Sequence, residues 1–292
     1  MRVIFVGTVE FSKKMLSVLV SSEVNIVGVI TSDHPGINAD YTDLVPLCRS
    51  EGIEVHSARN INGQETIEWI RSREPDMIFC FGWSYLIKKE LLNVPKKGIL
   101  GYHPAALPSN RGRHPLIWAV VLGLSETAST FFLMDEGADS GDIVSQERVA
   151  IRDGDDVGDL YQKIIVTAGS QLRELIPKLD SGKFPRQVQA SGSGNTWRKR
   201  VKPDGQIDWR MSSRGIHNLV RGLTRPYVGA HFKVGGQDIK VWRTEMLEAE
   251  GNLEPGKVLI GGMNGAVIKC GDSAIRLVES ELKTELNAGE YL

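Results

Sequence analysis

Residues 98–142 read GILGYHPAALPSNRGRHPLIWAVVLGLSETASTFFLMDEGADSGD. A short apolar run, Gly98-Ile99-Leu100, leads into His103, which is followed by Pro104 and a small apolar series ending at Pro108. This order places His103 just past the carboxyl end of a β-strand, where open α/β sheets bind their ligands. A second apolar run, STFFLM, ends in the acidic, glycine-bearing loop DEGADSGD, which is expected to bring Asp139 to the same rim. There His103 would act as a general acid/base, with Asp139 fixing its tautomer and favouring its charged form. The bland alternative is a buried histidine beside a solvated acidic loop. The combination of the two motifs favours the functional reading.

Outward from this stretch, strand and helix patterns alternate. Residues 3–6 form a β-branched and aromatic run stopped by Gly7, and 10–21 carry apolar positions at helical spacing (Phe11, Met15, Leu16, Leu19, Val20). Strands are expected at 25–31, 54–56, 77–81 and 143–151, and helices near 42–51, 63–73, 86–93 and 156–179. The helix at 156–179 is capped by Asp156 and stopped by Gly182. Such alternation implies an α/β, Rossmann-like, mostly parallel sheet covered on both faces. No G-x-G-x-x-G accompanies the first strand, so dinucleotide binding has little support. Residues 181–205 are rich in Gly, Ser and Pro and then turn basic at Arg198, Lys199, Arg200 and Lys202. Beyond them, a helix at 213–223 precedes short strand-like runs separated by GG, NG and GD turns, which indicates a smaller β-rich domain. The expected division is 1–182 for the catalytic domain, 183–204 for a linker and 205–292 for the second domain.

A formal net charge of −1 over 292 residues makes no global case for nucleic acid or an anionic membrane. Cys48, Cys80 and Cys270 are widely spaced without a CxxC pair, which points to a reducing, cytoplasmic setting and away from a cysteine-based zinc site. No apolar stretch reaches membrane-spanning length, and the N-terminal run is too short for a signal peptide. Asp135, Asp139 and Asp142 lack calcium-loop spacing and have no histidine ligands nearby, so no metal is expected.

The pattern H-P-A-A-L-P-x-x-R-G-R-x-P followed by M-D-E-G-A-D-S-G-D, with 36 positions between His103 and Asp139, closely resembles the folate-dependent formyltransferases. The resemblance covers nearly the whole chain. It implies 10-formyltetrahydrofolate as formyl donor, His103 and Asp139 as catalytic residues, and a small C-terminal OB-like domain. It also implies folate contacts from Tyr85, Leu86, Ile87, Arg113 and the Asp135, Glu136, Gly137 and Ala138 stretch, and it makes a homodimer an expectation. Trp83 and Tyr102, flanking the same crevice, are substrate-binding candidates. The chain departs from the family at Gly101, where an Asn-x-His motif usually supplies an oxyanion donor; losing one such donor typically costs on the order of a hundredfold in rate. Asn110 in the adjacent turn is a candidate substitute.

Charge selects the expected acceptor. The loop TSDHPGINADYTDL carries Asp33, Asp40 and Asp43 with no Lys or Arg, and in residues 201–292 twelve basic side chains cancel twelve acidic ones. Backbone neutralisation supplies much of nucleic-acid affinity. These features favour the amine of a nucleotide-linked amino sugar as the acceptor, with no nucleic-acid partner. Methionyl-tRNA formylation and a catalytically weakened folate or nucleotide-sugar binding protein are the alternatives.

Overall fold

The computed structural model describes residues 1–34, 39–190 and 192–292. Residues 35–38, in the middle of the acidic loop, and Ser191 in the Gly/Ser-rich stretch lie outside the described residues. Two compact units are present. One comprises Met1–Pro115, Thr127–Val149 and Gln162–Trp197; the other comprises Leu116–Glu126, Ala150–Tyr161 and Arg198–Leu292.

The first unit is built on strands β1 (Arg2–Val6), β2 (Asn25–Thr31), β3 (Val55–Ser57), β4 (Met77–Cys80), β5 (Ile99–His103), β6 (Arg111–Gly112), β7 (Glu126–Leu133), β8 (Ile143–Ala150) and β9 (Thr196–Trp197). Seven of them form one sheet in the order β3-β2-β1-β4-β5-β7-β8, and β6 pairs in parallel with β9. Val3–Val6 and Met77–Cys80 are buried without alternation, as strands covered on both faces should be. The chain winds outward from β1 to β3 and then returns to place β4 on the other side of β1, so the topological switch lies between β1 and β4. Ser12 reinforces that point: its hydroxyl donates to the Phe81 carbonyl at 2.6 Å and accepts from the Thr8 and Val9 amides at 3.2 Å. The helix Glu10–Ser21 is thereby tied to the carboxyl end of β4.

The pairings among β1 to β5 are parallel. Strand β7 breaks the pattern by lying antiparallel to β5, with Leu100 opposite Leu133 and His103 opposite Thr130. The acidic loop therefore leaves the sheet beside the start of β5, not beside His103, and must travel back along the strand. Its five steps from Met134 to Asp139 can span up to roughly 17 Å, against about 13 Å for the four-residue rise of β5.

The helix expected at 156–179 spans Val157–Ser181, and Asp156 accepts the Asp159 amide at 2.9 Å as its cap. In the second unit, β10 (Ala230–Val234), β11 (Gln237–Leu247), β12 (Val258–Ile260), β13 (Val267–Lys269) and β14 (Ala274–Ser280) form a sheet in the order β10-β11-β14-β13-β12, all paired antiparallel. Among the described residues, no helix is long and apolar enough to cross a membrane, and no group of three or more His, Cys, Asp and Glu could hold a metal ion.

Candidate active site

His103 ends β5 at 4% exposure, enclosed between two oxygen acceptors. Its Nε2 lies 2.8 Å from the backbone carbonyl of Asn110, and its Nδ1 lies 3.5 Å from Asp139 Oδ2. Because a carbonyl can only accept, the first contact requires a proton on Nε2. Asp139 Oδ2 also accepts the Gly112 amide at 2.9 Å, which aims the carboxylate at the ring. Asp139 itself adopts a left-handed backbone (φ 55°), a conformation that aspartate tolerates better than most residues.

The Asn110 turn thus meets the histidine through its main chain. Asn110 contributes an acceptor there, where the expected substitute for the missing asparagine would have to donate.

Tyr102 requires a correction of the same kind. Successive side chains on a strand point to opposite faces, so Tyr102 faces away from His103. Its ring stacks on Phe11 at 4.3 Å and packs edge-on against Phe131, and its hydroxyl pairs with Ser129 Oγ at 2.8 Å. Burial pushes this phenol well above its ordinary range. Tyr102 is part of the aromatic core.

Gly101 shares the face of His103. A Cβ there would stand 2.8 Å from Met134 Cγ and 2.9 Å from Phe132 Cζ. The volume that an asparagine side chain would enter is filled by apolar groups, which join Leu107 and Ile143 in a small cluster.

The remaining expected contacts divide along the 81–88 loop. Tyr85 and Leu86 are exposed (56% and 62%), whereas Ile87 is buried among Cys80, Leu91 and Ile99 and contributes to the core. Arg113 directs Nη1 to the Ser84 carbonyl at 2.7 Å and so braces this loop from the His103 side. Trp83 packs on the core, and its buried Nε1 has no hydrogen-bond partner. Asp135, Glu136, Gly137 and Ala138 are all exposed. The Asp135 carboxylate accepts from the Gly137 amide and the Ser140 hydroxyl, while Glu136 pairs with Lys89 at 3.1 Å.

Three supporting residues carry no sequence signature. Asn62 bridges the exposed loop, donating to the Leu86 carbonyl at 2.9 Å and accepting the Lys88 amide at 2.8 Å. Gln189 and Asn195, both in the Gly/Ser-rich stretch, bond to the loops that carry Asp139 and Asn110. Isolated amide side chains in polar segments have no periodicity by which to be found.

Residues 1–176 match the family described as "Formyl transferase", and residues 200–292 match "Formyl transferase, C-terminal domain". The chain belongs to the formyl transferase family. It is 33% identical to the methionyl-tRNA formyltransferase of Geotalea daltonii, covering 100% of this chain and 95% of that relative. It is 30% identical to the methionyl-tRNA formyltransferase of Caldanaerobacter subterraneus subsp. tengcongensis, covering 100% and 96%. Among solved structures, a sugar 3N-formyl transferase, WlaRD, superimposes with a TM-score of 0.71 at 16% identity, covering 97% of this chain and 98% of that one. At that identity the likeness is one of fold.

Membership makes the chain a folate-dependent formyltransferase with 10-formyltetrahydrofolate as its donor. It also overturns the expected acceptor. Both of these full-length relatives, and that of Geotalea uraniireducens at 33% identity, are methionyl-tRNA formyltransferases, so neither the nucleotide-linked amino sugar nor the exclusion of nucleic acid stands. The charge argument failed for physical reasons. Phosphates are met by local cations, not by a domain's net charge. Part of the acidic loop's charge serves the fold, since Asp43 Oδ1 accepts the Val45 amide at the start of the helix Val45–Ser50.

Proposed function

We propose that this protein transfers a formyl group from 10-formyltetrahydrofolate to the amino group of methionyl-tRNA. The observation that carries the chemistry is the contact of His103 with Asp139, and the acceptor follows the activity of the full-length relatives. Residues 1–182 form the catalytic domain in this reading, joined through 183–204 to the smaller domain at 205–292.

The donor's fit is supported by the 81–88 loop. A buried indole N–H without a partner on Trp83 suits an acceptor atom of a heteroaromatic ring, and the exposed Tyr85 and Leu86 offer apolar cover. Bound there, 10-formyltetrahydrofolate supplies a formyl carbon already activated on nitrogen. Arg113 holds the loop in place through Ser84.

His103 takes the proton that the attacking amine must lose and returns one to the departing nitrogen. Asp139 orients the ring through Nδ1, so Nε2 is the nitrogen that exchanges the proton, once it has released the one it donates to the Asn110 carbonyl. Nε2 is occupied by the Asn110 carbonyl, and proton exchange therefore requires the Asn110 turn to shift or a water to intervene. With Gly101 offering no donor, the protonated imidazole is the cationic group next to the developing oxyanion.

The test is incubation with methionyl-tRNA and 10-formyltetrahydrofolate, scoring formylmethionyl-tRNA and released tetrahydrofolate together across a salt series. Equimolar products and a rate that falls with salt support the assignment. Absence of formylmethionyl-tRNA under conditions where the donor binds overturns it.

A further inference from the structure

Residues 187–190 and 192–197 look like a spacer in sequence, yet they run bonded along both loops that meet at His103. Gln187 and Ile143 exchange their two backbone hydrogen bonds at 2.9 Å. The side chain of Gln189, 9% exposed, then uses all its bonding capacity at one junction. Nε2 donates to the carbonyls of Asp139 (2.9 Å) and Gly141 (2.7 Å), and Oε1 accepts from Arg111 Nε (3.2 Å) and Nη2 (2.6 Å). Arg111 also reaches the Asp139 carbonyl and the Ser193 carbonyl, each at 3.2 Å. Farther along, Gly194 passes so close that a Cβ would overlap the Pro108 carbonyl. Asn195 accepts the Asn110 amide through Oδ1 at 2.9 Å and the Arg111 amide through its own carbonyl at 3.1 Å, and Trp197 accepts the Arg113 amide at 3.0 Å.

We propose that Gln189 is a positioning residue for formyl transfer, joining the Asp139 backbone to the Arg111 guanidinium so that the carboxylate is held against His103. The chemistry explains why an amide serves here. Two carbonyls on one side need donors, and a guanidinium on the other needs an acceptor; glutamine presents both from one planar group. The Asp139 loop has no ladder of its own at this point, because it has left β7 and is crossing back along β5. Without the Gln189 junction, the Asp139 backbone keeps the longer Arg111 contact at 3.2 Å, but that guanidinium has lost the acceptor that holds it, and the carboxylate is left to the Gly112 amide. A shift on the order of 1 Å in such a group is enough to cost about a hundredfold in rate.

This inference rests on His103 and Asp139 performing the chemistry, and the experiment separates the two claims. Formylation kinetics are measured for Asp139→Asn, Gln189→Leu, Gln189→Glu and the double variant Asp139→Asn/Gln189→Leu, with thermal unfolding recorded alongside. Gln189→Glu preserves size and the Arg111 contact while replacing the two donors with acceptors, so it remains informative if the leucine variant folds poorly. The expected result is a kcat lowered about tenfold to a hundredfold in both Gln189 variants, with KM for the folate unchanged and a displaced kcat pH profile. In the Asp139→Asn background, loss of Gln189 should then cost little more, since both changes act on one carboxylate. Fully additive losses, or an effect on folate KM alone, would overturn the positioning role. An unimpaired Asp139→Asn variant would instead sink the reading of the site, and this inference with it.

Discussion

His103 and Asp139 come within 3.5 Å of each other although the strands that precede them, β5 and β7, run in opposite directions. The acidic loop begins at the wrong end of β5 and is drawn back over it by the Gly112 amide, the Arg111 guanidinium and the Gln189 amide. The geometry of this pair is therefore a property of a loop held by side chains, and on the proposed chemistry substitutions in those side chains should act on rate before they act on stability.

Asp139→Asn keeps an oxygen for the Gly112 amide but removes the negative charge facing His103 Nδ1. Formylation is expected to slow by about a hundredfold or more, with the thermal midpoint nearly unchanged. Steady-state kinetics and a melting curve on the same preparation check this.

Restoring the family's asparagine at position 101 should not restore an oxyanion donor. Phe132 and Met134 occupy the volume beside Gly101, so Gly101→Asn is expected to destabilise the protein by about 1–3 kcal/mol through overpacking and to bring no gain in kcat. Chemical denaturation and turnover of that variant decide the point; a faster, equally stable enzyme would show that the pocket adapts.

Arg113 braces the loop that carries Trp83, Tyr85 and Leu86. A charge-assisted hydrogen bond to a carbonyl contributes about 1.5–3 kcal/mol, so Arg113→Ala should raise KM for the folate by about tenfold while changing kcat much less. Equilibrium folate binding, measured by fluorescence, should weaken in parallel.

The second unit should be acid-sensitive. Burial lowers the pKa of His217, with Arg221 and Arg214 adding to the effect, and burial likewise lowers that of His231. The unfolded chain then binds protons more readily than the folded one, so stability is complete above the ordinary histidine value of about 6.5 and falls as pH drops below it. Urea midpoints measured from pH 7.5 to 5 should decline, and the His217→Gln/His231→Gln variant should show a shallower decline.

Much of this architecture was legible in the sequence because its signals are local. The GIL run before His103 marked β5, the apolar runs at 3–6 and 77–81 marked the strands β1 and β4, and the short turn-separated strands marked the second domain. Directions and contacts were less accessible. Nothing in STFFLM distinguishes an antiparallel from a parallel β7, and strand alternation had to be applied to send Tyr102 into the core beside Phe11 and Phe131. Gln189 and Asn195 were hidden because a glycine- and serine-rich stretch looks the same whether it is a spacer or a clamp. The acceptor was misjudged because Asp33, Asp40 and Asp43 were counted as charge alone, while Asp43 in fact accepts the Val45 amide at the start of a helix.

The most direct measurement is a single-turnover formylation of methionyl-tRNA by enzyme preloaded with 10-formyltetrahydrofolate, comparing the unmodified protein with His103→Gln. If His103 carries the proton, the burst of formylmethionyl-tRNA in the unmodified protein should slow by about a hundredfold or more in the variant, with donor binding retained. A burst of equal rate in both proteins would contradict this chemistry and remove His103 from the centre of the site.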